Sequence, residues 1–273
     1  HPAYTAICSR RRRSLLAGTD LDIETLRRLF SERIVGSQLL HYDLLGSTMD
    51  ETRDLARQGV QDGTVVIAEE QTEARGRFNR PWVSPRGQNL NFSALLRPTP
   101  SQLPYVNMAA TLAVARVVAR FTGAPTSVKW PNDVLIDGAK VCGILSQMVP
   151  GQPDAIVVGA GVNTLMTPEQ LPVPTATSLA IAGAHVDADR LLADYLSALD
   201  RMLAAAASAD AFARVRTEVR GVCATLGRQV RVMLPDERTL EGRATGLDDA
   251  GRLIVTVGGE SVPVAAGDVI HVR

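Results

Sequence analysis

The chain has 273 residues, 45% of them apolar, a content that supports a hydrophobic core and excludes a wholly disordered protein. Its 29 basic and 29 acidic residues cancel, so no net field points to nucleic acid or to a membrane surface. No run reaches the roughly eighteen apolar residues that span a bilayer, because the most apolar helical stretch, 108–121, is broken by Arg116 and Arg120. Cys8, Cys142 and Cys223 have no C-x-x-C spacing, and His1, His41, His185 and His271 are scattered. That pattern speaks against a disulfide framework or a zinc site and suits a reducing cytoplasm.

The first thirteen residues show no periodicity; the four arginines at 10–13, followed by Leu15 and Leu16, lack the apolar run of a signal peptide and read as a solvated tail. Between 20 and 33, Ile23, Leu26, Leu29 and Phe30 recur at helical spacing and predict one amphipathic helix. One helix alone makes no winged helix-turn-helix, so DNA binding through this end is not expected. From residue 39, strand-like runs (39–45, 64–68, 91–96 and 156–162) alternate with helical ones (50–58 and 106–121), which predicts a mixed α/β domain. A proline-rich stretch at 168–174 interrupts it, and helices follow at about 187–207 and 209–220. After Gly221, short β runs at 230–234, 239–245, 253–257 and 269–272 are separated by turn-rich segments and predict a small all-β barrel. The expected division is therefore a tail and helix over 1–36, a main domain over 37–220 and a β module over 221–273.

Of the 29 basic residues 27 are arginine, and the two lysines, Lys129 and Lys140, share one short window. Either this is chance in an Arg-biased chain, or a slender ammonium is needed where a guanidinium fork does not fit. The window reads as a hairpin turning at Asp137-Gly138, with Ile136 opposite Ala139, Leu135 opposite Lys140 and Asp133 opposite Cys142. Asp133, Leu135, Lys140 and Cys142 are then expected on one face, with Asp133 diagonal to Lys140, as an aimed ammonium or a surface ion pair. Upstream, QTEARGRFNRPW at 71–82 follows a buried strand and carries Arg75, Arg77 and Arg80 around Gly76, which suits either an anion-wrapping loop or a solvated one. Thr48 and Glu51 have capping-box spacing at the start of a helix, and the hydroxyls of Ser47 and Thr48 also suit a polar ligand. The small residues of GAGVN at 159–163 would leave room for a ligand wall.

Taken together these segments resemble the biotin protein ligase family. The family's G-S-T-N is matched at Gly46-Ser47-Thr48, its Q-T-x-G-R-G-R-x-G-R-x-W from Gln71 to Trp82, and its K-W-P-N-D from Lys129 to Asp133. Its K-x-x-G-I-L is matched from Lys140 to Leu145 and its G-x-G-x-N from Gly159 to Asn163. The resemblance implies a central mixed-sheet α/β (α+β) domain related to class II aminoacyl-tRNA synthetases and a C-terminal SH3-like barrel, in a monofunctional ligase without a DNA-binding domain. It implies activation of biotin by ATP, with Mg²⁺ on the phosphates, to biotinyl-5′-AMP, and transfer to a lysine of a biotin carboxyl carrier protein domain. Carried over by motif, Ser47, Thr48, Gln71 and Arg75 would hold the ureido head of biotin, and Gly143, Gly159 and Gly161 would line its pocket. Lys140 would meet the carboxylate and α-phosphate, with Arg75, Arg77 and Asp133 completing the catalytic set. Arg77, Arg80, Trp82, Asn132 and Asn163 would meet the nucleotide, and Asp133 would orient Lys140 or place the metal. Arg80 and Arg273 would be further candidates for the phosphates or the carrier protein.

The chain departs from the family at Met49, Ala74, Phe78 and Asn79. Asn79 tolerates positive φ, and activity is expected to survive. The competing readings are a lipoate or octanoate ligase or transferase of the same superfamily, whose R-R-x-x-G-G-G is not seen, and a regulatory module that binds biotin without turnover. The resemblance also implies a cytoplasmic monomer or weak homodimer with no membrane partner.

Overall fold

A computed structural model describes residues 22–30, 35–205 and 208–272 of the chain. Its centre is a seven-stranded sheet in the order β1-β2-β3-β7-β6-β5-β4. The strands are β1 (Gln38–Tyr42), β2 (Thr64–Ala68), β3 (Asn89–Leu96), β4 (Thr126–Lys129), β5 (Asp133–Ile136), β6 (Ala139–Val149) and β7 (Gln152–Asn163). Only β1 and β2 pair in parallel, joined by the crossover helix α2 (Thr48–Arg57); the other neighbours are antiparallel.

The two faces of the sheet are covered differently. On one lies α3 (Val106–Thr122), whose Val106, Ala109, Leu112, Ala113, Val117 and Val118 are all buried, because α4 (Ala188–Ala205) and α5 (Ala209–Val222) pack on its other side. A helix enclosed on all sides needs apolar residues around its circumference, and only Arg116 and Arg120 reach out, to Glu218 and Asp194. α2 packs on the other face through Met49 and Ala56, against Leu95 and Val157, and covers only part of it. The expected N-terminal helix is α1 (Ile23–Phe30), which buries Leu26 and Phe30; the tail with the four arginines, Cys8 and His1, and also Arg273, lie outside the described residues.

The C-terminal segment forms a second, five-stranded antiparallel sheet of β8 (Gln229–Met233), β9 (Thr239–Leu247), β10 (Leu253–Val257), β11 (Glu260–Val264) and β12 (Asp268–His271), in the order β11-β10-β9-β8-β12. β11 was not expected: Pro263 breaks its pattern, and as an edge strand it tolerates the missing donor. Val230, Val232, Ala244 and Leu253 of this sheet belong to one continuous buried cluster with α3 and the large sheet. Polar contacts fix the junction: Ala224 N–H donates to Val128 O at 2.8 Å, Trp130 N–H to Thr225 Oγ1 at 3.0 Å, and Trp130 Nε1–H to Gly251 O at 3.0 Å.

Candidate active site

The part of the sheet that α2 leaves uncovered is the floor of a cavity of about 510 Å³. Strand register sets out that floor. Gly161, Gly143 and Asp133 are successive partners across β7, β6 and β5, and Gly159 pairs with Leu145 in the adjacent row. The glycines make a trough where side chains would otherwise stand. A Cβ on Gly161 would lie 2.6 Å from the Trp82 indole, one on Gly143 would lie 3.3 Å from Lys140 Nζ, and one on Gly159 would lie 2.5 Å from Met49 Sδ.

At one end of the trough Lys140 Nζ stands 2.8 Å from Asp133 Oδ1 and 5.6 Å from the centre of the Trp82 ring. The Asp137-Gly138 turn and the Leu135–Lys140 pairing are as expected, but Asp133 pairs with Gly143 rather than with Cys142. An irregularity between Val134 and Leu135 shifts the register, a bulge that alternation alone does not announce. Cys142 therefore leaves the expected face, lies fully buried in the core, and has its thiol pushed up by burial. Lys140 is held by its backbone as well: Lys140 N–H donates to Thr175 O and Thr177 N–H donates to Lys140 O, each at 2.8 Å. These bonds draw the proline-rich strap across the cavity, where Pro172, Val173 and Ala176 join the lining. Lys129, at the end of β4, is not among the lining residues.

The wall opposite is the start of α2. The capping box does not form. Ser47 is the N-cap and makes no side-chain cap bond, Glu51 accepts from Tyr42 OH at 2.9 Å, and Thr48 Oγ1 shares a 2.8 Å hydrogen bond with Ser93 Oγ. Gln71 takes over the helix start by accepting from Thr48 N–H through Oε1 at 2.8 Å. Met49 lies over Gly159, so the departure from the family's asparagine puts a thioether on the wall.

The arginine loop closes the remaining side and is tightly folded. Gly76 N–H donates to Arg80 O and Trp82 N–H to Ala74 O, both at 2.8 Å. Phe78 and Asn79 both adopt φ of 55°, so the conformation that suits asparagine at 79 is used there. Arg75 pairs with Asp50 at 3.1 Å. Arg77 donates from Nη1 to Gly267 O at 2.9 Å, and Arg80 pairs with Asp268, so β12 anchors the loop. Burial lowers the Arg77 guanidinium below its usual value, opposed by Asp268 and Asp133, while the bond to Asp268 raises Arg80. Asp268 lines the cavity and has no motif in the sequence to mark it.

At the nucleotide end expected from the motifs, Asn132 Nδ2 donates to Ile144 O at 2.6 Å. Asn163 is spent on neighbours, donating to Thr177 O at 2.9 Å and accepting from Asn89 Nδ2 at 3.1 Å. Thus Ser47, Thr48, Gln71, Arg75, Arg77, Arg80, Trp82, Asn132, Asp133, Lys140, Gly143, Gly159, Gly161 and Asn163 all line one cavity. Among the described residues no group of three or more His, Cys, Asp or Glu side chains could hold a metal, and the Asp133 carboxylate is occupied by Lys140.

A sheet floored with glycine, flanked by cations and hydroxyls, defines a site for an acid and a phosphate-bearing ligand, and residues 43–163 match the biotin/lipoate A/B protein ligase family. Residues 225–272 match the biotin protein ligase C-terminal domain. The chain is 35% identical over 270 residues to the biotin–[acetyl-CoA-carboxylase] ligase of Mycobacterium tuberculosis, covering 92% of this chain and 99% of that protein. It is 32% identical to the enzyme of the same name from Paracoccus denitrificans, over 80% of this chain and 95% of that one. The biotin protein ligase of Aquifex aeolicus, solved in complex with biotin and ATP, superposes with a TM-score of 0.72 at 26% identity, covering 86% of this chain and 99% of that chain. The chain belongs to the biotin protein ligase family.

Proposed function

We propose that the protein activates biotin with ATP to biotinyl-5′-AMP and transfers the biotinyl group to a lysine of a biotin carboxyl carrier domain. The observation that carries this is the convergence of five separated motif segments on the glycine trough, with Lys140 held over Gly143 by Asp133. In the first step a biotin carboxylate oxygen bonds to the α-phosphorus of ATP and the bond to the leaving pyrophosphate breaks. In the second, the carrier amine bonds to the acyl carbon, loses a proton, and AMP departs with the bridging oxygen.

Both steps crowd negative charge, and fixed cations in a partly enclosed site stabilise it without reorganising. Lys140 Nζ is assigned to the carboxylate and the α-phosphate, and Asp133, 2.8 Å away, keeps it aimed, a positioning role favoured here over metal ligation. Arg75, Arg77 and Arg80 are assigned to the phosphates as charge-assisted donors, with Arg75 shared with the head group of biotin. Ser47, Thr48 and Gln71 are assigned to that head group, and Gly143, Gly159 and Gly161 to its bed. Trp82 covers the trough, while Asn132 and Asn163 form the nucleotide end. Mg²⁺ arrives with ATP and neutralises its phosphates.

The loop at 71–82 excludes water from a hydrolysable anhydride once a ligand is beneath it. The two described thiols, Cys142 and Cys223, are buried and free, which supports the cytoplasm as the place of action; no described helix is long and apolar enough to cross a membrane. Residues 221–273 are read as the SH3-like module of the family, and 37–220 as the catalytic domain. Mixing protein, ATP, Mg²⁺ and biotin should release pyrophosphate, and adding a carrier domain should label it. Biotin binding without pyrophosphate would move the chain to a regulatory role.

A further inference from the structure

Two side chains stand over the glycines of the trough and bound its free space. The Trp82 indole fills the place of a Cβ on Gly161, and the Met49 thioether fills that of a Cβ on Gly159, which would lie 2.5 Å from Sδ. Both residues line the cavity. Over Gly159 a ligand therefore meets a thioether from the first turn of α2, and none of the roles assigned above falls to it.

Met49 is held from behind. It is 8% exposed and belongs to a small buried cluster with Ala56, Leu95, Ala155 and Val157, so it brings an apolar, well-packed surface to the cavity wall. Its neighbours in the chain differ: Ser47 and Thr48 line the same wall, and Gln71 Oε1 accepts from Thr48 N–H at 2.8 Å. The wall thus passes from hydroxyl and amide to thioether within one residue. Lys140 Nζ lies over Gly143, and the Leu145–Gly159 pair is the next row of the same two strands, roughly 7 Å along. Lys140, Leu145, Met49 and Trp82 line one cavity, so the route from ammonium to thioether follows β6 past Leu145 with the indole along its side.

From one end to the other the site offers a cation, an apolar stretch ending at a thioether, and a cluster of hydroxyls with an amide. Biotin has its groups in the matching order: carboxylate, alkyl chain, sulfur ring, ureido ring. We propose that Met49 is a specificity-determining residue that packs on the sulfur ring of the bound acid, and this rests on the biotin reading above. A polarizable thioether gains dispersion against a saturated sulfur ring and leaves no polar group unmade. An acid without that ring loses the contact and leaves a gap beside Met49, so the residue favours the bicyclic head over a single ureido ring.

The test compares biotin with desthiobiotin, which keeps the carboxylate, chain and ureido ring and lacks the sulfur bridge. It uses the full chain with Met49→Ala, which removes the contact, and Met49→Leu, which restores an apolar wall of similar volume. Met49→Gln, which keeps the length and replaces the thioether, decides the matter if the alanine variant does not fold. Pyrophosphate release gives KM for each acid and for ATP, calorimetry gives Kd for each acid, and thermal unfolding reports the fold. In the alanine variant KM and Kd for biotin are expected to rise about tenfold and those for desthiobiotin by less than about threefold, with KM for ATP within about twofold of wild type. The leucine variant should stay within about threefold of wild type for biotin. A lower Tm is expected for alanine at a buried position, but it cannot by itself narrow the preference between the two acids. Equal weakening of biotin and desthiobiotin would make Met49 a packing residue only, and unchanged biotin KM in a folded alanine variant would remove it from the ligand; either overturns the assignment. Wild-type protein that neither binds nor activates biotin would overturn the functional reading itself, and this inference with it.

Discussion

The Trp82 indole lies against the bare α-carbon of Gly161, where a Cβ would sit 2.6 Å from its Cε2 and Nε1. No rotamer of a fixed ring relieves such a contact, so a methyl group at 161 must displace the indole or lift the loop that carries it. Gly161→Ala is therefore expected to leave the sheet intact and to raise KM for both biotin and ATP by about tenfold or more. A kinetic comparison with Gly246→Ala, where a Cβ meets nothing within 4 Å, isolates the contact from the loss of glycine.

Lys140 occupies a narrow place between Asp133, Gly143 and Trp82. Removing a fixed cation from developing charge costs on the order of 10²–10³ in rate, so Lys140→Ala should reduce adenylate formation by that factor. Lys140→Arg keeps the charge but brings a planar fork to a site where even the ammonium is 3.3 Å from a Cβ position on Gly143, and it is not expected to restore the rate. Single-turnover pyrophosphate release reads both variants, and full activity of the arginine form would show that charge alone suffices at this position.

Those lysine, glycine and arginine positions were legible in the sequence because each belongs to a short local pattern. The strand and helix periods were legible for the same reason, and α2, α3, α4 and β2 stand close to where periodicity puts them. Features set by partners distant in sequence were not. The bulge that pairs Asp133 with Gly143 depends on how β5 meets β6, and the cap that Gln71 supplies to Thr48 replaces a capping box that spacing alone suggests. Asp268 gains meaning only once β12 touches the arginine loop. β11 escaped notice because its proline is tolerated only at a sheet edge, and edges are a property of the whole sheet.

Arg80 and Asp268 join the arginine loop to β12, and Arg77 adds a bond to Gly267 O. The ion pair is partly exposed, so Asp268→Asn should change global stability by less than about 1 kcal/mol. Its effect is expected on the loop. A looser loop admits water to the anhydride, so the variant should release more AMP and free biotin per carrier labelled, by a few fold, with pyrophosphate release little changed. Faster proteolytic cleavage within 75–80 would accompany it; unchanged partitioning of the adenylate would show that β12 does not steady the loop.

His271 ties the same strand to the junction, its Nε2 lying 3.2 Å from Thr225 Oγ1, which also accepts from the Trp130 N–H. Burial lowers the imidazole below its usual 6.5, and the nearby charges of Lys129 and Arg228 lower it further. The unfolded chain then binds a proton at this residue more readily than the folded one does. Folding stability is accordingly full above about pH 7 and falls as the pH drops through 6.5 toward the folded-state value. Protonation places a buried charge between Lys129, Arg228 and β12, and because β12 also carries Asp268, acid should loosen the arginine loop before the protein unfolds. His271→Gln, which keeps a hydrogen-bonding side chain and cannot titrate, should flatten the stability profile between about pH 7 and 5. Denaturant titrations of both proteins across that interval measure the difference, and parallel profiles would assign the acid sensitivity to other groups.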